Sequence, residues 1–208
     1  IACETIELRK ARKNLAKGKK QAIISPPPET ISTAPTNNKI AFVIGNGTSR
    51  EPISLPSLKP FGKIYGCNAL YRDFIPDYLV AVDTKMVLEL NKLGIQHQCE
   101  TSTNPNRAYN EMTGFKFFQP AKGWSSGPTA LWFASENTDF DTIYIIGFDY
   151  EGTGQLVNNI YAGTQNYKAP TERATYFGNW LKQTVITCQN FSQKRYCILY
   201  KSPTPRDS

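Results

Sequence analysis

The sequence predicts an α/β fold, a mainly parallel sheet of about six strands flanked by helices. Three observations carry that expectation. Short runs that are apolar on both faces recur along the chain, as strands buried between helices require. Each run stops abruptly at small or polar residues. Segments of helical period, with recognisable caps and stops, fall between several of them.

The strongest run is Ile40-Ala41-Phe42-Val43-Ile44, followed by Gly45-Asn46-Gly47-Thr48-Ser49-Arg50. It reads as a central strand whose glycines let the backbone turn tightly and approach a ligand at the carboxyl edge of the sheet. A plain tight turn is the alternative. Arg50 stands where a dinucleotide fingerprint has its third glycine, and no Gly-Lys-Ser/Thr follows. Neither a standard nicotinamide or flavin site nor a Walker-type loop is therefore expected.

Pro52, Pro56 and Pro60 make an irregular crossover with one turn of helix at Ser57-Leu58. Residues 63–67 form the next strand, ending on Asn68, and residues 78–82 another, ending on Asp83. Residues 84–93 read as a helix capped by Asp83 or Thr84 and closed by Gly94. A weaker strand at 95–99 carries the sole histidine, His97, in a structural role; 101–112 reads as loop and 115–118 as strand. A helix opens at Ser126, with Pro128 in its first turn, and runs to about Ser135. Residues 142–146 form the second strongest strand, ending on Gly147-Phe148-Asp149-Tyr150. A flexible loop over 151–168, a helix over about 171–184 and a last strand at 196–199 complete the domain, assigned to residues 40–200, with 201–208 as a C-terminal tail.

Residues 1–39 read differently. Residues 4–20 have a thin helical periodicity at Leu8, Ala11/Arg12 and Leu15, with seven basic residues between Arg9 and Lys20. Such a helix either frays or lies on something acidic: nucleic acid, a membrane surface or a partner protein. Pro26-Pro27-Pro28 and Pro35 then mark an extended linker. The chain's net charge of +7 belongs mainly to this arm, where eight Lys and Arg face three Glu; the remainder has sixteen basic against fourteen acidic residues. With the folded part nearly balanced, nucleic-acid binding through the arm is the weaker expectation, and protein neighbours held through residues 1–39 the stronger. The first residue is Ile1, so a fragment, a processed product or an incompletely read start is expected.

Five cysteines show no Cys-x-x-Cys spacing, which with one histidine gives no zinc constellation and suggests reduced thiols. No apolar run approaches the roughly 20 residues that span a bilayer.

The ends of these elements form a set. Gly45-Asn46-Gly47, Asn68, Asp83 and Gly147-Phe148-Asp149 end four strands, and Ser126-Gly127 starts a helix. In a parallel sheet they meet at one edge, offering amides for phosphate, polar side chains for ribose or base, and a helix N-terminus for negative charge.

In order and spacing, Ile44-Gly45-Asn46-Gly47-Thr48-Ser49, Cys67-Asn68-Ala69-Leu70-Tyr71, Ser125-Ser126-Gly127 and Ile146-Gly147-Phe148-Asp149-Tyr150 resemble motifs of the bacterial sialyltransferases that build lipooligosaccharide. The same stretch, about residues 40–199, is similar to small Rossmann-like proteins encoded by marine bacteriophages. The resemblance implies a Rossmann-like domain with a CMP-sugar type of nucleotide sugar as substrate and no required cofactor. It implies that Gly45 and Asn46, with Gly47, meet the nucleotide phosphate or ribose. Asn68 would meet the sugar-nucleotide, Ser126 and Gly127 the donor, and Gly147, Phe148 and Asp149 the cytidine, with Tyr150 near the leaving phosphate.

The sequence also departs from that family. Its general-base histidine is matched by Thr164 in Tyr161-Ala162-Gly163-Thr164, its arginine before the serine by Gly123 beside Lys122, and an asparagine by Asp83. Threonine cannot take a proton near neutral pH, so Asp83 or Asp149 must serve as base, or a metal must lie between them. The expected function is a nucleotide-sugar-binding glycosyltransferase-like domain, weakly active or inactive. The alternative is a non-catalytic structural subunit of a bacteriophage particle or other assembly, anchored by the arm. The expected location is accordingly the cytoplasm or a virion.

Overall fold

A computed structural model describes residues 2–4, 39–150 and 156–200 of the chain. The strands are β1 (Ala2–Glu4), β2 (Ile40–Ile44), β3 (Lys63–Cys67), β4 (Tyr78–Val80), β5 (Glu100–Thr103), β6 (Phe115–Phe117), β7 (Thr142–Ile146) and β8 (Arg195–Tyr200). They form one sheet in the order β1-β8-β7-β2-β3-β4-β5-β6. Seven strands, β2 to β8, are parallel, one more than the expected six or so, and β1 adds antiparallel to β8. This is an α/β, Rossmann-like arrangement. The expected basic helix reached back to Glu4, which is instead the last residue of β1. The rest of that helix, the proline-rich linker and the C-terminal tail lie outside the described residues.

Chain order explains where a cleft can open. From β2 the chain moves outward through β3, β4, β5 and β6, then returns to the other side of β2 as β7 and β8. The connections after β2 and after β7 leave in opposite directions, so the carboxyl ends of these neighbours flank a topological switch point.

Both faces of β2 are covered, as its continuous apolar run requires. Phe42 and Ile44 join a core with Ile64, Leu70 and Leu79 and with Met86, Val87 and Leu90 of α1 (Thr84–Leu93). Ala41 and Val43 pack on the opposite side with Tyr65 and Ile145 and with Ala130, Leu131 and Ala134 of α2 (Ser126–Glu136). Val43 and Ile44 are fully buried, each burial stabilising by about 1.5–3 kcal/mol. Trp180, Leu181 and Cys188 of α3 (Gly178–Asn190) rest against the second core.

Two elements are displaced from their expected positions. Residues 95–97 make a 3-10 turn behind Gly94, and the strand lies later, at Glu100–Thr103. His97 is thus exposed on a turn. The last helix starts at Gly178, because residues 169–173 are held as a turn in which Ala169 N–H donates to the Glu172 carboxylate at 2.6 Å and Val157 N–H to Glu172 O at 3.1 Å. Of the cysteines, Cys67 and Cys197 lie in strands and are buried, whereas Cys99 lies outside one; Cys67, Cys99, Cys188 and Cys197 are reduced thiols. No described helix is long and apolar enough to cross a membrane.

Candidate functional site

A cleft of about 660 Å³ opens at the carboxyl edge beside the switch point, within the range of small-ligand sites. Its walls include Gly45, Asn46 and Gly47 after β2, Asn68 after β3 and Asp83 after β4. Ser126 and Gly127 of α2 contribute, as do Gly147, Phe148, Asp149 and Tyr150 after β7. The fold therefore brings the strand and helix ends that the sequence grouped as one set to one cavity, and the atoms of those residues divide into two groups.

On the β2/β7 rim the polar groups of the glycines, Asp149 and Tyr150 are already used. Gly45 N–H donates to Ile146 O at 2.7 Å and Gly47 N–H to Gly147 O at 2.9 Å, zipping the two strand ends together. A Cβ at Gly45 would lie 2.5 Å from Gly147 O, and Gly147 has a left-handed φ of +70°. Gly45 and Gly147 are thus required by contact between two backbones, and both also line the cleft. Asp149 accepts from Ser49 N–H at 2.9 Å, from the Ser49 hydroxyl and from Asn158 Nδ2 at 3.2 Å. Tyr150 is buried, and its hydroxyl donates to Thr184 Oγ1 at 2.7 Å. As catalytic candidates both are compromised, since their reactive oxygens hold the fold.

The unpartnered groups begin with Asn46, between those two glycines, and continue across the cleft. Asn46 is only 8% exposed; its Nδ2 donates to Cys67 O at 3.4 Å and to the Tyr167 hydroxyl at 3.3 Å. Those two bonds fix the amide and leave its Oδ1 buried and unpaired, as are the Oδ1 atoms of Asn68 and Asn104. An unmatched buried acceptor costs free energy, so a donor is wanted there. Asn68 also holds a left-handed φ of 52°. Asp83 is exposed at the N-cap of α1, but its side chain does not cap the helix.

At α2 the helical ladder starts with Thr129 N–H donating to Ser125 O at 3.0 Å. The N–H groups of Ser126 and Gly127 have no intrahelical acceptor, and Pro128 has no N–H, so two donors remain for an anion. The Ser126 hydroxyl accepts from Val82 N–H at 3.1 Å, which pins the end of β4 to the helix and leaves the hydroxyl's own proton to donate.

The segment expected to be flexible, 151–168, is strapped down over 157–168, and 151–155 lie outside the described residues. Ile160 N–H donates to Asn46 O at 2.9 Å. Arg50, 4% exposed, donates to Asp73 at 2.8 Å and to the Tyr161 hydroxyl at 2.7 Å, and that hydroxyl donates to Asp73 at 2.7 Å. Arg72 donates to Glu89 at 2.5 Å, to Thr164 Oγ1 at 2.7 Å and to Gln165 O at 3.0 Å. Thr164, in the place of the expected family's histidine, is thereby tied to Arg72 and is absent from the cleft wall. Burial pushes the thiol of Cys67, beneath Asn46, up to about 12, with Arg50 offsetting part of the shift. Such a thiol is inert.

Sequence reasoning missed Asn104, Asn158, Trp124 and Trp180, which also line the cleft. Asn104 ends a strand just as Asn46 and Asn68 follow theirs, and this signal was hidden by the misplaced β5. Asn158 accepts from Thr48 N–H at 3.1 Å and Thr48 Oγ1 at 2.7 Å, so it fastens the strap to the β2 turn. The cleft's carboxylates are Asp83 and Asp149, and no group of three or more His, Cys, Asp or Glu suited to a metal occurs among the described residues. Compared with protein-family models, curated proteins and solved structures, the chain has no match.

Proposed function

We propose that the cleft binds a nucleotide sugar of the CMP type and that residues 40–200 form a glycosyltransferase-like domain, weakly active or inactive as a transferase. The observation that carries this reading is the pairing of opposites in one cavity. Three buried asparagine oxygens, at Asn46, Asn68 and Asn104, seek donors, and two amides at the start of α2 seek an anion. A nucleotide supplies both, hydroxyl and amino donors from sugar and base, and a phosphate for the helix terminus. Trp124 and Trp180 add flat apolar walls for a ring.

In a transfer step the acceptor hydroxyl attacks the anomeric carbon while the bond from that carbon to the phosphate oxygen breaks, and a base removes the hydroxyl proton. Asp83 is the lining carboxylate free for that task, because Asp149 is held by Ser49 and Asn158. Loss of a tuned imidazole base costs about 10²- to 10⁴-fold in rate, which is the reason for placing the activity low.

The test is a melting curve with CMP at millimolar concentration. At about 100 times Kd, binding adds about 2.7 kcal/mol, raising Tm by roughly 5–10 °C for a chain of this size. Asn46→Ala should abolish the rise while leaving the ligand-free protein folded. No rise in the unmutated chain would sink the proposal.

One observation favours a second reading, in which the fold is kept as an assembly subunit of a bacteriophage particle or other complex. β1 is separated from the rest of the domain by the basic, proline-rich residues 5–39, yet it extends the sheet edge at β8. An arm that adds a strand to an edge can add it to a neighbour's edge equally well. A chain that ignores CMP and elutes as an oligomer would favour this reading over the first.

A further inference from the structure

The cleft's electrostatics are incomplete for the ligand just proposed, on which this inference rests. Asp83 and Asp149 line it, but among the described residues no Lys, Arg or His does. A phosphate at the start of α2 would gain two amides and meet two carboxylates. A cation close to that point is needed to tip the balance.

One stands next to the wall. Lys122 immediately precedes Gly123, a lining residue, and its Nζ lies 3.4 Å from the centroid of the Trp132 ring and 5.3 Å from that of Trp124. The two rings meet edge to face at 5.5 Å, and Trp124 itself lines the cleft. No described carboxylate pairs with Lys122. Gly123, at φ +65° with open space where a Cβ would be, separates this lysine from the turn into α2.

The geometry points to Lys122 as the phosphate-binding cation of the cleft, held on the Trp132 ring and able to swing about Gly123 onto a phosphate at the N-terminus of α2. A partly exposed cation–π contact is weaker than a charge-assisted hydrogen bond to phosphate, so the exchange is favourable. Trp132 keeps its own anchor, donating from Nε1 to Glu136 at 2.6 Å, when the lysine leaves.

Calorimetric titration of the full chain with CMP and with cytidine separates phosphate from nucleoside. Lys122→Met should weaken CMP about tenfold and leave cytidine unchanged, while Lys122→Arg keeps the affinity for CMP within a few-fold. Equal weakening of CMP and cytidine would assign Lys122 to loop shape alone and overturn the inference. Unchanged CMP binding in Lys122→Met would overturn it too, leaving the nucleotide reading intact. If the unmutated chain binds neither compound, both fall together.

Discussion

The two rims of the cleft are built from similar residues and do opposite things. On the β2/β7 rim, Gly45 and Gly47 donate to Ile146 O and Gly147 O at 2.7 and 2.9 Å and Asp149 accepts from Ser49 N–H at 2.9 Å, so that the Asn46 Oδ1 alone is left over among these residues. On the rim made by β3, β4, β5 and α2, Asn68 and Asn104 carry unpaired oxygens and α2 offers unpaired amides. A glycine-rich turn is usually read as the ligand's seat. Here its glycines weld the switch point shut, and the unpaired polar atoms belong to asparagines and a helix end.

The largest effects should come from breaking the weld. Gly45→Ala places a methyl 2.5 Å from Gly147 O and against the Phe148 ring, with backbone on one side that cannot give way. A cost of about 3 kcal/mol is expected by urea unfolding. Gly123→Ala is the control: its φ of +65° is strained but no atom lies within 4 Å, so about 1 kcal/mol should be lost. Equal costs would mean the two rims are not mechanically different.

The two aspartates sharpen the same contrast at smaller scale. Asp149→Asn replaces a carboxylate that accepts from Ser49 and Asn158 and should destabilise by about 2 kcal/mol. Asp83→Asn touches an exposed side chain that caps nothing, so stability should stay within about 0.5 kcal/mol. Turnover of a CMP-sugar, where measurable, should instead fall about 10²- to 10⁴-fold in Asp83→Asn. The reverse pattern would exchange the roles of the two carboxylates.

The sequence made one rim more legible than the other, for a physical reason. β2 and β7 announce themselves because Ile40–Ile44 and Thr142–Ile146 are dominated by apolar side chains. β5 does not: Thr101, Ser102 and Thr103 are buried although polar, so the strand was displaced toward Ile95 and Asn104 was lost with it. α3 slipped likewise, since its buried positions include Thr184 and Thr187. Which polar atoms remain free was not legible at all. That Asp149 is consumed by Ser49, or Tyr150 by Thr184, depends on contacts spanning 100 and 34 residues of chain.

A last and smaller test concerns what holds the two rims in register. The strap over 157–168 carries Tyr167 to Asn46, and it is fastened to α1 through Glu89, which receives Arg72, Tyr71 and Asn166. Burial alone would favour the neutral form of Glu89, but the bonds from Arg72 and Tyr71 outweigh it and hold the carboxyl below its ordinary 4.5. A depressed carboxyl contributes stability that is fully present above 4.5 and is lost as pH falls through the folded-state value. The folded chain should therefore weaken on acidification below about pH 4.5, and Glu89→Gln should flatten part of that dependence while lowering stability at pH 7. Because the strap orients the Asn46 amide, CMP affinity should decline over the same acid range in the unmutated chain and vary less in Glu89→Gln. An acid profile for binding that is identical in both would show that Asn46 keeps its orientation without the strap.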